Sequence, residues 1–284
     1  MNYQWYPGHM TKAKRQMVED IKLIDLIIEI VDARIPLASR NPDIDDLAKN
    51  KSRIVLLNKC DLADSSVNKQ WISYFENQNI LCRVINSKAG MGIKNISNLI
   101  KEACAEKIER DRRRGIKNRP VRAMIVGIPN VGKSTFINSF AGKNSAKTGN
   151  KPGVTKGKQW IKVSKEIELL DTPGILWPKF EDNVIGMKLA FIGSINDEIM
   201  IHEELALDFI HYMRSIDINH IYKAYDIEPS DDDLAVLNNI AVKRGCLMKD
   251  NAYDIVKASK ILMDDFRNGK LGMISLETPE RDVP

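Results

Sequence analysis

Residues 121–135 read Val121-Arg122-Ala123-Met124-Ile125-Val126-Gly127-Ile128-Pro129-Asn130-Val131-Gly132-Lys133-Ser134-Thr135. An apolar strand pattern ends in GxxxxGK[ST], and the helical pattern Lys133–Phe140 follows. Glycines 127 and 132 let the backbone curl so that N–H groups converge on an anion. The start of the helix adds a partial positive charge there. Lys133 is placed to bridge β- and γ-phosphates, and Ser134 to hold Mg²⁺. Asn130, Val131, Gly132 and Thr135 complete the expected phosphate cradle.

Downstream, the strand pattern Ile161–Leu170 runs into Asp171-Thr172-Pro173-Gly174, a DxxG motif. Asp171 would reach Mg²⁺ through water, and the N–H of Gly174 would meet the γ-phosphate. Between the two motifs stands Pro152-Gly153-Val154-Thr155. Thr155 is the natural switch threonine, closing on Mg²⁺ when a γ-phosphate is present.

Upstream, the strand pattern Arg53–Asn58 ends in Asn58-Lys59-Cys60-Asp61, which fits NKxD. Asp61 can accept two hydrogen bonds from guanine N1 and N2. Adenine lacks that donor pair, and a mismatch of this kind discriminates by ~10⁴-fold or more. Asn58 would tie this loop to the phosphate loop, and the Lys59 stem would cover the ring. The next strand pattern, Ile80–Asn86, ends in Asn86-Ser87-Lys88-Ala89, which would offer a backbone N–H to guanine O6.

Candidate strands also cover Ile24–Val31 and Val121–Val126, alternating with helical spacing at Ser65–Gln78 and Gly92–Ile108. That alternation implies a mostly parallel α/β sheet with ligands at the C-terminal strand ends. The base motifs precede the phosphate motifs, the reverse of the order in small G-proteins. A circular permutation is therefore implied, its old ends joined through the basic connector Lys107–Arg122. After Trp177-Pro178 strand patterns stop and apolar residues recur at three-to-four spacing. The expected division is a GTP-binding domain over 1–180 and a smaller all-helical domain over 181–284. The helical domain would follow directly on the switch segment and could read out the γ-phosphate state.

At this point the chain resembles the circularly permuted GTPase family YlqF/RbgA (ribosome biogenesis GTPase A) over essentially its full length. The resemblance rests on the permuted motifs together with Trp5-Tyr6-Pro7-Gly8-His9-Met10, Asp32-Ala33-Arg34-Ile35-Pro36 and Ser39-Arg40-Asn41-Pro42. It implies GTP hydrolysis in assembly of the large ribosomal subunit, with GTP-dependent binding to ribosomal RNA and release on hydrolysis. A GTP-dependent switch on a protein partner, without direct RNA binding, is the alternative. A metabolic phosphotransferase would need an acceptor pocket with a general base, and the sequence offers none.

Charge is unevenly spread. Residues 1–180 carry a net +14 and residues 181–284 a net −9, against +5 for the chain. Lys143–Lys165 holds seven lysines and no acidic residue. With the connector and Lys12, Lys14 and Arg15, this makes a surface suited to RNA phosphates. No RNA-motif signature is present, so shape and backbone contacts are expected over base readout. DNA is not an expected partner. Cys60, Cys82, Cys104 and Cys246 lack CxxC spacing and read as buried thiols. His202, His211 and His220, nine apart, do not share a helix face and read as solvated rather than metal-binding. No signal-peptide core or membrane-spanning run is visible, so a cytoplasmic monomer is expected.

Many G-proteins place glutamine just after DxxG to orient the attacking water. Here Ile175 stands there and cannot do so. Intrinsic turnover should be slow, at ~10⁻⁴ to 10⁻³ s⁻¹. Lys133 and Thr155 are the catalytic groups expected of the phosphate site, and His9 is the candidate for positioning water. Asn130 resembles the asparagine with which potassium-activated G-proteins ligate K⁺ beside the phosphates.

Overall fold

Short runs of aliphatic and β-branched residues form the strands, and those at 26–32, 54–58 and 123–126 are buried throughout, which is why they lack alternation. The computed structural model describes residues 9–116, 119–142, 159–172, 182–249 and 252–283, with backbone alone at 9–14, 47, 159 and 199. The strands are β1 (Leu26–Asp32), β2 (Ser52–Asn58), β3 (Leu81–Val84), β4 (Val121–Val126), β5 (Gln159–Lys162) and β6 (Ile167–Asp171). The helices of the same unit are α1 (His9–Asp20), α2 (Asp43–Leu47), α3 (Ser65–Asn77), α4 (Ile96–Ala103), α5 (Ala105–Arg113) and α6 (Lys133–Ala141).

The six strands lie in the order β3-β2-β1-β4-β6-β5. All neighbours are parallel except β5 with β6. The base-side strands β2 and β3 thus flank one side of β1, and the phosphate-side strands β4 and β6 the other. Sequence order is permuted, yet the two halves meet at the β1–β4 pairing, Leu26 to Ala123 through Glu29 to Val126.

Every residue of β1 is buried, including Glu29. Its carboxylate is tolerated there because Arg40 and Arg53 both pair with it. α3 is capped by Asp64, whose carboxylate accepts from the N–H groups of Ser66 and Val67. It then lays Trp71 and Phe75 on Val31, Val55, Leu57 and Cys82.

Two expectations are corrected. The run Ile161–Leu170 is not one strand. Ser164 and Glu166 turn the chain, the hydroxyl of Ser164 accepting from the N–H of Glu166, and β5 folds back antiparallel on β6. The helical run Gly92–Ile108 is broken at Cys104, whose backbone (φ −107°, ψ 14°) leaves the helical region, giving α4 and α5. The first part of the basic connector, through Arg113, lies on α5, and Gly115 at φ 74° follows the end of that helix.

The chain divides into two units. One holds the described residues 182–276: α7 (Asn183–Phe191), α8 (His202–Arg214), α9 (Asn219–Tyr225), α10 (Asp233–Lys243) and α11 (Ile255–Arg267). Its core includes Phe191, Phe209 and Phe266, with ring centroids 5.1 and 4.7 Å apart in succession. The other holds the described residues of 9–172 together with 277–283, ending in α12 (Pro279–Asp282). The final segment, expected with the helical domain, groups with the sheet. Its anchor is Glu277, which is buried and accepts from the N–H groups of Leu37 at 2.7 Å and Ala38 at 3.2 Å.

Candidate functional site

Every motif described falls at a C-terminal strand end, on one edge of the sheet. β4 delivers the loop 127–132, β6 delivers Asp171, β2 delivers Asn58 and β3 delivers the loop at Asn86. The register places Asp32 beside Asn58 and Ile125 beside Asp171.

The phosphate loop is shaped by backbone conformations that few residues accept. Gly127 has φ 150°, and a Cβ there would sit 2.4 Å from the carbonyl oxygen of Ile30. Gly132 has φ 96°, and its Cβ would sit 2.4 Å from the amide nitrogen of Asn58. Asn130 lies in the left-handed region at φ 61°, which asparagine tolerates better than most residues. That backbone requirement gives Asn130 a structural reason to be present, independent of any cation.

Asn58 joins the two halves of the site. Its side-chain NH₂ donates to the carbonyl of Val131 at 2.7 Å, and its carbonyl accepts from the N–H of Ser87 at 3.0 Å. One buried amide therefore holds the NKxD loop, the phosphate loop and the Asn86–Ala89 loop together. The N–H of Ser87 is committed to this bond, and that of Ala89 to the side chain of Asn86 at 2.9 Å. Neither of these two bonds engages the N–H of Lys88. Asp61 is exposed on the short turn Cys60–Leu62, and Lys59 holds a left-handed conformation at φ 58°.

Lys133 is buried, its ammonium donating to the carbonyls of Gly127 at 3.0 Å and Ile128 at 2.8 Å. Burial pulls its pKa down to about 8, partly opposed by the carboxylate of Asp171. Burial pushes Asp171 up to about 6, partly opposed by Lys133 and by the N–H of Thr172. Among the described residues one oxygen of Asp171, Oδ1, has no hydrogen-bond partner. A buried carboxylate oxygen left in this way suits a cation. Ser134, half-buried at the first turn of α6, supplies a hydroxyl on the same edge. These donors fit Mg²⁺ as nucleotide enzymes hold it, with few protein ligands and phosphate oxygens beside them. Among the described residues, no three His, Cys, Asp or Glu side chains converge on a point.

Thr155, Gly174 and Ile175 lie outside the described residues, as does most of the lysine run from Lys143. His9 is the first residue of α1, with its side chain outside the description. Sequence reasoning missed one group. Asp32, fully buried at the end of β1, receives Arg34 in two parallel bonds of 2.9 and 2.8 Å and the ammonium of Lys59 at 3.0 Å. Burial alone would raise its pKa, but the two cations hold it well below the usual carboxylate range. The signal was present in Asp32-Ala33-Arg34, yet nothing in sequence spacing says that Lys59 joins the pair.

The chain matches the family described as 50S ribosome-binding GTPase over residues 122–241. It is 49% identical over 281 residues to ribosome biogenesis GTPase A of Bacillus licheniformis, spanning 99% of each chain. The protein of the same name from Thermotoga maritima is 34% identical over 282 residues, 99% of this chain and 96% of that one. The solved structure of GNP-bound YlqF from T. maritima superposes with a TM-score of 0.67 at 29% identity, covering 95% of this chain and 99% of that one. Among the described residues no helix is long and apolar enough to cross a membrane.

Proposed function

Because this chain belongs to the ribosome biogenesis GTPase A family, we propose that its GTPase cycle times its stay on the large ribosomal subunit. GTP hydrolysis and a role in ribosome assembly follow from membership of the family. The finer reading is that the GTP form binds ribosomal RNA, and that hydrolysis releases it. The chain would act as a monomer in the cytoplasm.

The observation that carries the RNA reading is the charge split, +14 over residues 1–180 against −9 over 181–284. A basic half favours a polyanion, and phosphate contacts supply most sequence-independent affinity for RNA.

On this reading Asp61 accepts from guanine N1 and N2, the stem of Lys59 covers the ring, and the N–H of Lys88 meets O6. Lys133 leaves the loop carbonyls for the phosphates. Gly174 contacts the γ-phosphate, and Asn130 is available to a K⁺ ion. Ser134, Thr155 and, through water, Asp171 would hold Mg²⁺, which offsets phosphate charge when bound. Ile175 cannot orient water, so His9 is assigned that role once the protein is on its partner.

The test is GTP turnover with and without purified large ribosomal subunits, in potassium buffer. Strong stimulation, together with loss of subunit binding on exchange of a non-hydrolysable analogue for GDP, supports the cycle. Unchanged turnover would move the partner from ribosomal RNA to a protein.

A further inference from the structure

We propose that Asp32 is a positioning residue for guanine binding: through its ion pair with Lys59 it holds that lysine's stem over the base position. The inference rests on reading Asn58–Asp61 as the guanine loop.

The geometry carries it. β1 and β2 end level, with Asp32 opposite Asn58, and the N–H of Ala33 donates to the carbonyl of Asn58 at 2.8 Å. The two strand ends are thereby locked, and Lys59 is the next residue out. The carboxylate of Asp32 is already satisfied by Arg34, through Nε to Oδ1, Nη2 to Oδ2 and the Arg34 backbone N–H to Oδ1 at 3.1 Å. Arg34 is itself buried. The hydroxyl of Ser39 accepts from the N–H of Asp32 at 3.0 Å and donates to the carbonyl of Ile35 at 2.7 Å, closing the loop behind the pair.

A bidentate carboxylate–guanidinium pair needs no second cation. Yet the ammonium of Lys59 reaches Oδ2 at 3.0 Å, with its side chain 26% exposed. A lysine stem is flexible and loses much rotamer freedom when fixed. Tethering its end to a rigid buried anion fixes the stem before nucleotide arrives, so less freedom is lost on binding. Arg34 keeps that anion charged and immobile. Asp32 touches no ligand itself and acts through Lys59.

The experiment measures GDP affinity with a fluorescent GDP analogue for Asp32→Asn, Lys59→Met and the double variant. Lys59→Met keeps the stem and removes only the ammonium. Each single variant should raise the dissociation constant by about tenfold, within the range of coupled contacts. The double variant should be no weaker than the single ones, because both remove the same tether. Additive losses would mean that Asp32 acts only on stability, and would overturn the proposal. Should Asp32→Asn fail to fold, Lys59→Met alone decides: affinity equal to wild type overturns the proposal. Lys59→Arg, which keeps a cation for Asp32, should bind more tightly than Lys59→Met. Asp61→Asn tests the underlying loop assignment separately. It should shift preference from guanine to xanthine nucleotides, since xanthine has a carbonyl where guanine has its amino group. No shift would remove the guanine-loop reading itself.

Discussion

The side-chain amide of Asn58 donates to the backbone carbonyl of Val131 at 2.7 Å, spanning 73 residues of sequence to join the base loop to the phosphate loop. Replacing Asn58 with Ala leaves the carbonyl of Val131 and the N–H of Ser87 without these partners. Each loss costs about 1–3 kcal/mol where no water substitutes. We expect GDP affinity to fall by about 10–100-fold, read by titration with a fluorescent GDP analogue. Gly132→Ala should behave alike, because its Cβ would meet the same amide at 2.4 Å. The two effects should not add. Wild-type affinity in Asn58→Ala would show that the loops hold without the bridge.

Glu277 caps the N–H groups of Leu37 and Ala38, while its own carbonyl accepts from the indole of Trp71 at 3.2 Å. Hydrogen bonds to a charged acceptor are worth about 1.5–3 kcal/mol each. Glu277→Ala should lower the urea midpoint of the sheet unit by a corresponding amount, followed by tryptophan fluorescence. Removal of 277–284 should lower it further and expose Trp71. An unshifted midpoint in both variants would show that the segment docks without contributing stability.

Burial raises the thiols of Cys60 and Cys104 to about 11 and that of Cys82 to about 12. The thiolate is the reactive form, and at pH 8 its fraction is on the order of a thousandth or less. The folded protein should therefore react slowly with a thiol reagent. All four cysteines, which are free, should react at once in guanidinium. Fast reaction of Cys60 in the folded protein would reveal opening of the NKxD loop, and GDP should suppress it.

Turnover should be faster in KCl than in NaCl at fixed ionic strength if Asn130 helps to ligate K⁺ beside the phosphates. Equal rates would leave Asn130 with its backbone role alone, as the non-glycine residue of the loop in the left-handed region, at φ 61°.

His9→Ala should retain GTP affinity and lose most of the turnover stimulated by large subunits. Affinity and stimulated turnover both at wild-type values would transfer water positioning to another group, supplied by this chain or by its partner.

Much of the site was legible because phosphate and guanine recognition need fixed residue types at fixed short spacings. Gly127, Gly132, Lys133 and Ser134 lie within eight residues, and Asn58 and Asp61 within four. The strand–helix alternation was legible for the same local reason. Local pattern failed where a polar interruption was brief. Ser164–Glu166 is too short to register as a break in an apolar run, yet it turns β5 back on β6. Periodicity also continued through Cys104, where the backbone does not.

By itself the sequence determined the permuted order of the motifs, the α/β class and the residues at the strand ends, since each depends on neighbours along the chain. Only the tertiary structure decided which of those residues meet. Strand pairing brought Asn58 to Val131 and Lys59 to Asp32, and docking of the final segment brought Glu277 to Leu37. Such contacts depend on sheet register and on where a chain end docks. Both follow from burying the whole apolar surface together, and no single stretch of sequence encodes that.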